Sequence, residues 1–122
     1  MADGIRGVVQ RRRSEQAGAF QVALGYATAL GAEIPLAAAV VFGSYARGDF
    51  NTWSDIDVLV ISDALPVDAR DRADLLWRHQ PARISAVGWT VGEHRDRRRR
   101  RDPIAVEADA VGVTVVGALP AL

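Results

Sequence analysis

The sequence contains no cysteine and no lysine. Without cysteine there is no disulfide, no thiol nucleophile and no thiolate metal site. Without lysine, mechanisms built on a side-chain amine are excluded, including the P-loop, which needs one to reach the phosphates. No apolar run approaches the roughly 20 residues of a membrane-spanning helix. The early charged cluster of Arg11, Arg12 and Arg13 does not lead into a signal-peptide core, because Gly18, Gln21, Gly25 and Thr28 break the apolar residues that follow. A cytoplasmic protein without membrane attachment is expected. Net charge is also missing, since fifteen basic residues balance fifteen acidic ones. Nothing therefore draws the domain as a whole non-specifically to nucleic acid, which is not an expected partner.

What is present is a chain of 122 residues with 49% hydrophobic content. That is enough for one packed domain over 1–122 and leaves little room for a second. Residues 1–10 carry two glycines and little periodicity and read as a frayed end or short extension. Apolar residues at Ala19, Phe20, Ala23, Leu24, Ala27 and Leu30 predict an amphipathic helix from Arg12, stopped by Gly31. The runs Ala37–Phe42 and Asp55–Ile61 read as strands, and Ile84–Thr90 as a third. Asp68–His79 reads as a helix with Ala69, Ala73, Leu76 and Trp77 on its inner face, ahead of Pro81. Thr90 and Glu93 have the spacing of a capping box and predict a helix over Val91–Arg101. Asp102 and Pro103 predict a second helix start, running to about Ala110, and Val113–Val116 a short last strand. The fold class is α/β (α+β): a small mixed sheet of three to four strands flanked by helices.

The chemistry concentrates in residues 38–61. A buried strand ends at Phe42, and Gly43 and Ser44 follow at once. Glycine admits a phosphate close to the backbone, and serine adds a hydroxyl and an N–H. Further along come Asp55 and Asp57. On a strand, residues two apart share a face, so both carboxylates converge on one side while Ile56 and Val58 enter the core. Paired carboxylates repel unless a cation sits between them. A hard divalent ion such as Mg²⁺ fits, because it keeps waters and also binds substrate phosphates. Arg47 is a candidate phosphate contact, with a structural or solvated role left open.

The segments GSYARGD and SDIDVLV, spaced as GS–x(10)–DxD, resemble the signature of the minimal nucleotidyltransferase family within the DNA polymerase β-like superfamily. The close match covers about twenty residues, and the tail WTVGEH…RRDPIAVEADAVGVTV fits the same layout. The resemblance implies transfer of a nucleoside monophosphate, with ATP as the expected donor, to an acceptor hydroxyl. It implies that Gly43 and Ser44 hold the β/γ-phosphates and that Asp55 and Asp57 hold Mg²⁺. Small members of the family often pair with a helical HEPN protein as the antitoxin of a toxin–antitoxin system, and can AMPylate a tyrosine on that partner. Self-association through the apolar last strand is an alternative.

One departure stands out. Active relatives commonly place a third acid on the strand after the next helix, and Ile84–Thr90 contains none. Glu93, the nearest downstream carboxylate, is better explained as a cap, and Asp63 as a turn residue. The same fold acting as a catalytically weakened nucleotide-binding or partner-docking module is thus the alternative function. The arginines of 97–101 would spread right round a helix, which favours a solvated or partner-facing surface over a nucleic-acid one. His79 and His94 are expected at the surface. Trp53, Trp77 and Trp89 are expected in core or interface packing, with Trp53 also a candidate wall of the nucleotide pocket.

Overall fold

The computed structural model describes residues 4–121. Its elements run α1 (Gly4–Gly31), β1 (Ala38–Phe42), α2 (Gly43–Arg47), β2 (Ile56–Ile61), α3 (Ala69–Arg78), β3 (Ile84–Trp89), α4 (Val91–Arg99), α5 (Pro103–Val111) and β4 (Val113–Gly117). The four strands form one mixed sheet in the order β3-β2-β1-β4. β1 runs antiparallel to both β2 and β4. β2 and β3 are parallel, which requires the crossover that α3 provides. Among the described residues, no helix is long and apolar enough to cross a membrane.

The strand period of two divides the core. Ala39, Val41, Ile56, Val58, Val60 and Ile84 face α1 and α3. Ala38, Val40, Phe42, Leu59, Ile61 and Trp89 face the α4–α5 side, where Ala105 and Ala108 of α5 cover them. Helix α1 buries Ala19, Ala23, Tyr26, Ala27 and Leu30, the three-and-four spacing of one helical stripe. The Tyr26 hydroxyl donates to the Leu76 carbonyl at 3.0 Å, tying α1 to α3. Burial pushes its pKa up to about 12, so it remains a donor at any physiological pH.

Caps define the smaller helices, two of them at the residues expected. Asp68 accepts from the Asp71 N–H at 3.0 Å. Thr90 and Glu93 form the full capping box, and Asp102 accepts from the Ile104 N–H at 2.9 Å ahead of Pro103.

Four expectations are corrected. Residues 4–10, read as a frayed end or short extension, continue α1, while 1–3 lie outside the described residues. Helix α3 buries Leu75 and Leu76, leaving Ala69 and Ala73 exposed and Trp77 72% exposed. The inner face is rotated by about one residue, because Leu75 outcompetes the small alanines for the sheet. Trp53 is 90% exposed on its loop, so of core and interface packing the core is excluded for it, and of the three tryptophans Trp89 alone packs in the core. His94, expected at the surface, is buried at 1% exposure. The sequence of α4, VGEHRDRRR, offers one large apolar residue, and the inward position one turn after Val91 falls to the histidine.

Candidate functional site

β1 delivers the chain to Gly43, where φ of 74° turns it sharply into the single-turn α2. Gly48, at φ 90°, ends that turn as a left-handed cap, its N–H donating to the Ser44 carbonyl at 2.8 Å. The strand register places Phe42 opposite Asp57, so the turn that follows Phe42 lies against the Asp57 carboxylate. A Cβ on residue 43 would collide with Asp57 Oδ2. Glycine is needed here twice over, for the backbone angle and for the approach of the acid.

Asp57 is the second residue of β2 and half-buried; Asp55 immediately precedes the strand and is exposed. Ile56 and Val58, between and beyond them, enter the core under α1, so Asp57 projects to the other face, beside α5. Its carboxyl is pushed above the ordinary aspartate range. Burial is the main cause, repulsion from Asp55 and Glu107 adds to it, and Arg47 opposes. The structure thus brings Gly43, Asp57 and Arg47 together, with Asp55 close enough to repel Asp57 and Ser44 starting the helical turn.

Glu107 went unrecognised in the sequence. It projects from α5 and accepts the Gly43 N–H at 3.0 Å. The same oxygen, Oε1, pairs with Arg47 Nη1. Arg47 also pairs with Asp49 through Nε at 3.1 Å. The helix bearing Glu107 was legible from its cap, but nothing in the local sequence says which of its residues meets a turn sixty-four positions earlier. Glu93 is the cap it was expected to be, its carboxylate accepting the Thr90 N–H at 2.7 Å and pairing with Arg72 at 2.7 Å. Asp63 accepts the Val91 N–H at 2.9 Å at the start of α4. On β3 the residue opposite Asp57 is Ser85, so the acid missing from that strand is missing at the register position facing the site.

The loop over 49–55 is fastened from two sides. Arg12 of α1 donates to the carbonyls of Gly48 and Phe50 at 2.9 and 2.7 Å and lies over the Phe50 ring at 4.3 Å. Gln16 donates to the Tyr45 carbonyl at 2.7 Å. From the far side Arg83, itself at φ 75°, donates to the Tyr45 hydroxyl and the Ser54 carbonyl at 2.7 and 2.9 Å. These bonds fix the position from which Asp55 enters β2.

Among the described residues, no three acidic or histidine side chains converge to hold a metal unaided. The donor set that fits a cation is the Asp55–Asp57 pair, whose mutual repulsion a divalent ion would relieve and whose remaining coordination water and ligand oxygens would fill.

The sequence matches the family profile described as a nucleotidyltransferase domain over residues 26–105. No curated protein sequence matches significantly. Among solved structures, a presumed nucleotidyltransferase from Sulfolobus solfataricus superposes with a TM-score of 0.64 at 22% identity, covering 84% of each chain. A toxin-antitoxin structure with AMP-PNP superposes with a TM-score of 0.51 at 20% identity, covering 78% of this chain and 73% of the other. Identities this low speak for the fold alone. The profile match spans well over half the residues and takes in the glycine turn and both aspartates, and by it this chain belongs to the nucleotidyltransferase domain family.

Proposed function

We propose that the protein transfers AMP from ATP to an acceptor hydroxyl, with Mg²⁺ held by Asp55 and Asp57. The observation that carries this reading is the placement of the Asp57 carboxylate hard against the left-handed Gly43 turn, with Asp55 beside it. In this reading the N–H groups of Gly43 and Ser44 and the Arg47 guanidinium receive the β/γ-phosphates. That places the α-phosphate toward the acidic pair. The acceptor oxygen forms a bond to the α-phosphorus, the bond from that phosphorus to the pyrophosphate oxygen breaks, and the acceptor proton passes to water. When bound, Mg²⁺ supplies charge neutralisation for the phosphates. The protein's own work is positioning: Gly43 leaves room for the acid, and Arg12, Gln16 and Arg83 hold the loop that sets Asp55.

The proposed acceptor is a tyrosine of a HEPN-type partner, in a toxin–antitoxin pair in which this chain is the antitoxin. The AMP-PNP complex of the structurally similar toxin-antitoxin protein supports a nucleotide and a protein partner together. A second reading, a docking module that binds nucleotide without turning it over, is favoured by Ser85 standing where a third acid would face Asp57.

Labelled ATP with Mg²⁺ and the co-expressed partner separates the two. The enzyme reading expects label on the partner, and a loss of about a hundredfold or more in Asp57→Asn. Nucleotide binding with no transfer to the partner overturns the enzyme and leaves the module.

A further inference from the structure

The contact between Glu107 and the Gly43 turn has no part in the reaction as proposed. One carboxylate oxygen takes the backbone N–H of Gly43 at 3.0 Å and the guanidinium of Arg47 together. These are two of the donors that the nucleotidyltransferase reading assigns to a triphosphate, and they are already occupied by an anion belonging to the chain. We propose that Glu107 is an internal competitor for the phosphate cradle: it holds the Gly43–Arg47 turn in the absence of nucleotide and must leave before phosphate can enter. The proposal rests on the nucleotide reading of that turn.

Three features of the structure bear on it. First, the carboxylate is aimed at the donors and not at the cation site, since Asp55, Asp57 and Glu107 do not converge on a common point among the described residues. Second, Glu107 adds its charge to the repulsion that Asp57 already feels from Asp55. It is held there by the two donors; a ligand that offers those donors a phosphate removes the reason for it to stay. Third, the side chain can leave alone. It is 30% exposed, whereas the helix beneath it is fixed by the Asp102 cap and by Ala105 and Ala108 in the core. A rotamer change suffices, on a much faster timescale than local unfolding. In this scheme the backbone of α5 stays in place and the Glu107 side chain alone differs between the empty and the loaded site.

The experiment is titration calorimetry with Mg–ATP on wild type, Glu107→Gln and Glu107→Ala, with the Gly43 backbone amide followed by NMR and melting curves to verify folding. A freed cradle binds Mg–ATP about tenfold more tightly in Glu107→Ala, the size of one charge-assisted hydrogen bond returned to the ligand, and by less in Glu107→Gln, which keeps a neutral acceptor. In the ligand-free wild type the Gly43 amide resonance moves on Glu107→Ala, because its acceptor is lost. Wild type that binds Mg–ATP while Glu107→Ala binds it equally or more weakly overturns the competitor and makes Glu107 a holder of the bound state. If no form binds Mg–ATP although the Gly43 amide still senses the substitution, the nucleotide reading itself fails and the proposal falls with it.

Discussion

Beneath α1 and α3, the sheet shows Ala39, Val41, Val58, Val60 and Ile84. Beneath α4 and α5, the alternate residues of the same strands show Ala38, Val40, Leu59 and Ile61, and then Asp57 at one end with Glu107 above it. The second face also buries His94 against Trp89, ring centroids 6.1 Å apart, with neither ring nitrogen given a protein partner. Both faces obey the same period of two. The difference lies in what covers them. The long stripe of α1, joined by Leu75 and Leu76 of α3, covers one face with apolar side chains, whereas α4 and α5 are both short, and α4 is nearly devoid of apolar residues. A face covered largely by one long apolar stripe needs no polar side chain to complete it. A face closed by two short ones leaves an open end, and the unneutralised acids sit there.

The largest effect is expected at Gly43. Gly43→Ala forces a side chain into a left-handed backbone and into the Asp57 carboxylate at once. A loss of about 2 kcal/mol or more in stability is expected, together with loss of Mg–ATP binding. The control lies on the exterior of the same face: Gly92 in α4 would meet nothing within 4 Å. Gly92→Ala should raise stability by about 0.5–1 kcal/mol through helix propensity. Denaturant unfolding of both variants checks the pair, and equal effects would remove any special status from the turn.

The next effect is at His94. A buried imidazole without partners is a desolvation cost that an apolar side chain avoids, so His94→Leu should stabilise by about 1 kcal/mol at neutral pH. The sign of its pH dependence follows from its environment. Burial, helped by Arg98 and opposed by Asp109, holds its pKa below the ordinary 6.5. The unfolded chain therefore takes up a proton near 6.5 that the folded chain refuses, and stability falls as pH drops below that value. The gain from His94→Leu should grow correspondingly between pH 7 and pH 5. A gain independent of pH would show that the ring is hydrated or paired in solution.

Much of this was legible in the sequence because it is local. Gly43–Ser44 and the Asp55–Asp57 pair are contiguous motifs at fixed spacing, and the caps at Asp68, Thr90 and Asp102 announce their helices within four residues. Strand boundaries came within a residue or so, since β-branched runs end abruptly at glycine or at charge. What escaped depends on packing between distant segments. Trp77 reads as core by hydrophobicity, but helix rotation is decided by the total burial of the stripe, and Leu75 with Leu76 win it. His94 reads as surface by polarity, but a helix with too few apolar residues must turn some polar one inward. Glu107 is an ordinary acid in an ordinary amphipathic helix until the sheet brings α5 over the Gly43 turn.

The smallest effect sets stability against function at a single side chain. Asp57 has a carboxyl pushed above the ordinary 3.8 by burial first and by Asp55 and Glu107 next, with Arg47 opposing. In the window from 3.8 up to its folded value, the native chain holds a proton that the unfolded chain has released. The group's contribution to stability is therefore greatest at low pH and declines as pH rises through that window. Asp57→Asn abolishes this term while keeping the shape, so the variant should be slightly more stable than wild type at pH 7 in the absence of divalent cation, and indistinguishable from it near pH 3. Adding Mg²⁺ with ATP should reverse the ranking, because only wild type gains the bound ion. Carboxylates elsewhere pull the whole-protein profile the other way, with Glu93 held low by the Thr90 N–H and Arg72, so the quantity to measure is the difference between wild type and variant across pH. A difference that stays at zero, with and without the cation, would mean that Asp57 is solvated like any surface acid and that this end of the sheet is not built to be neutralised.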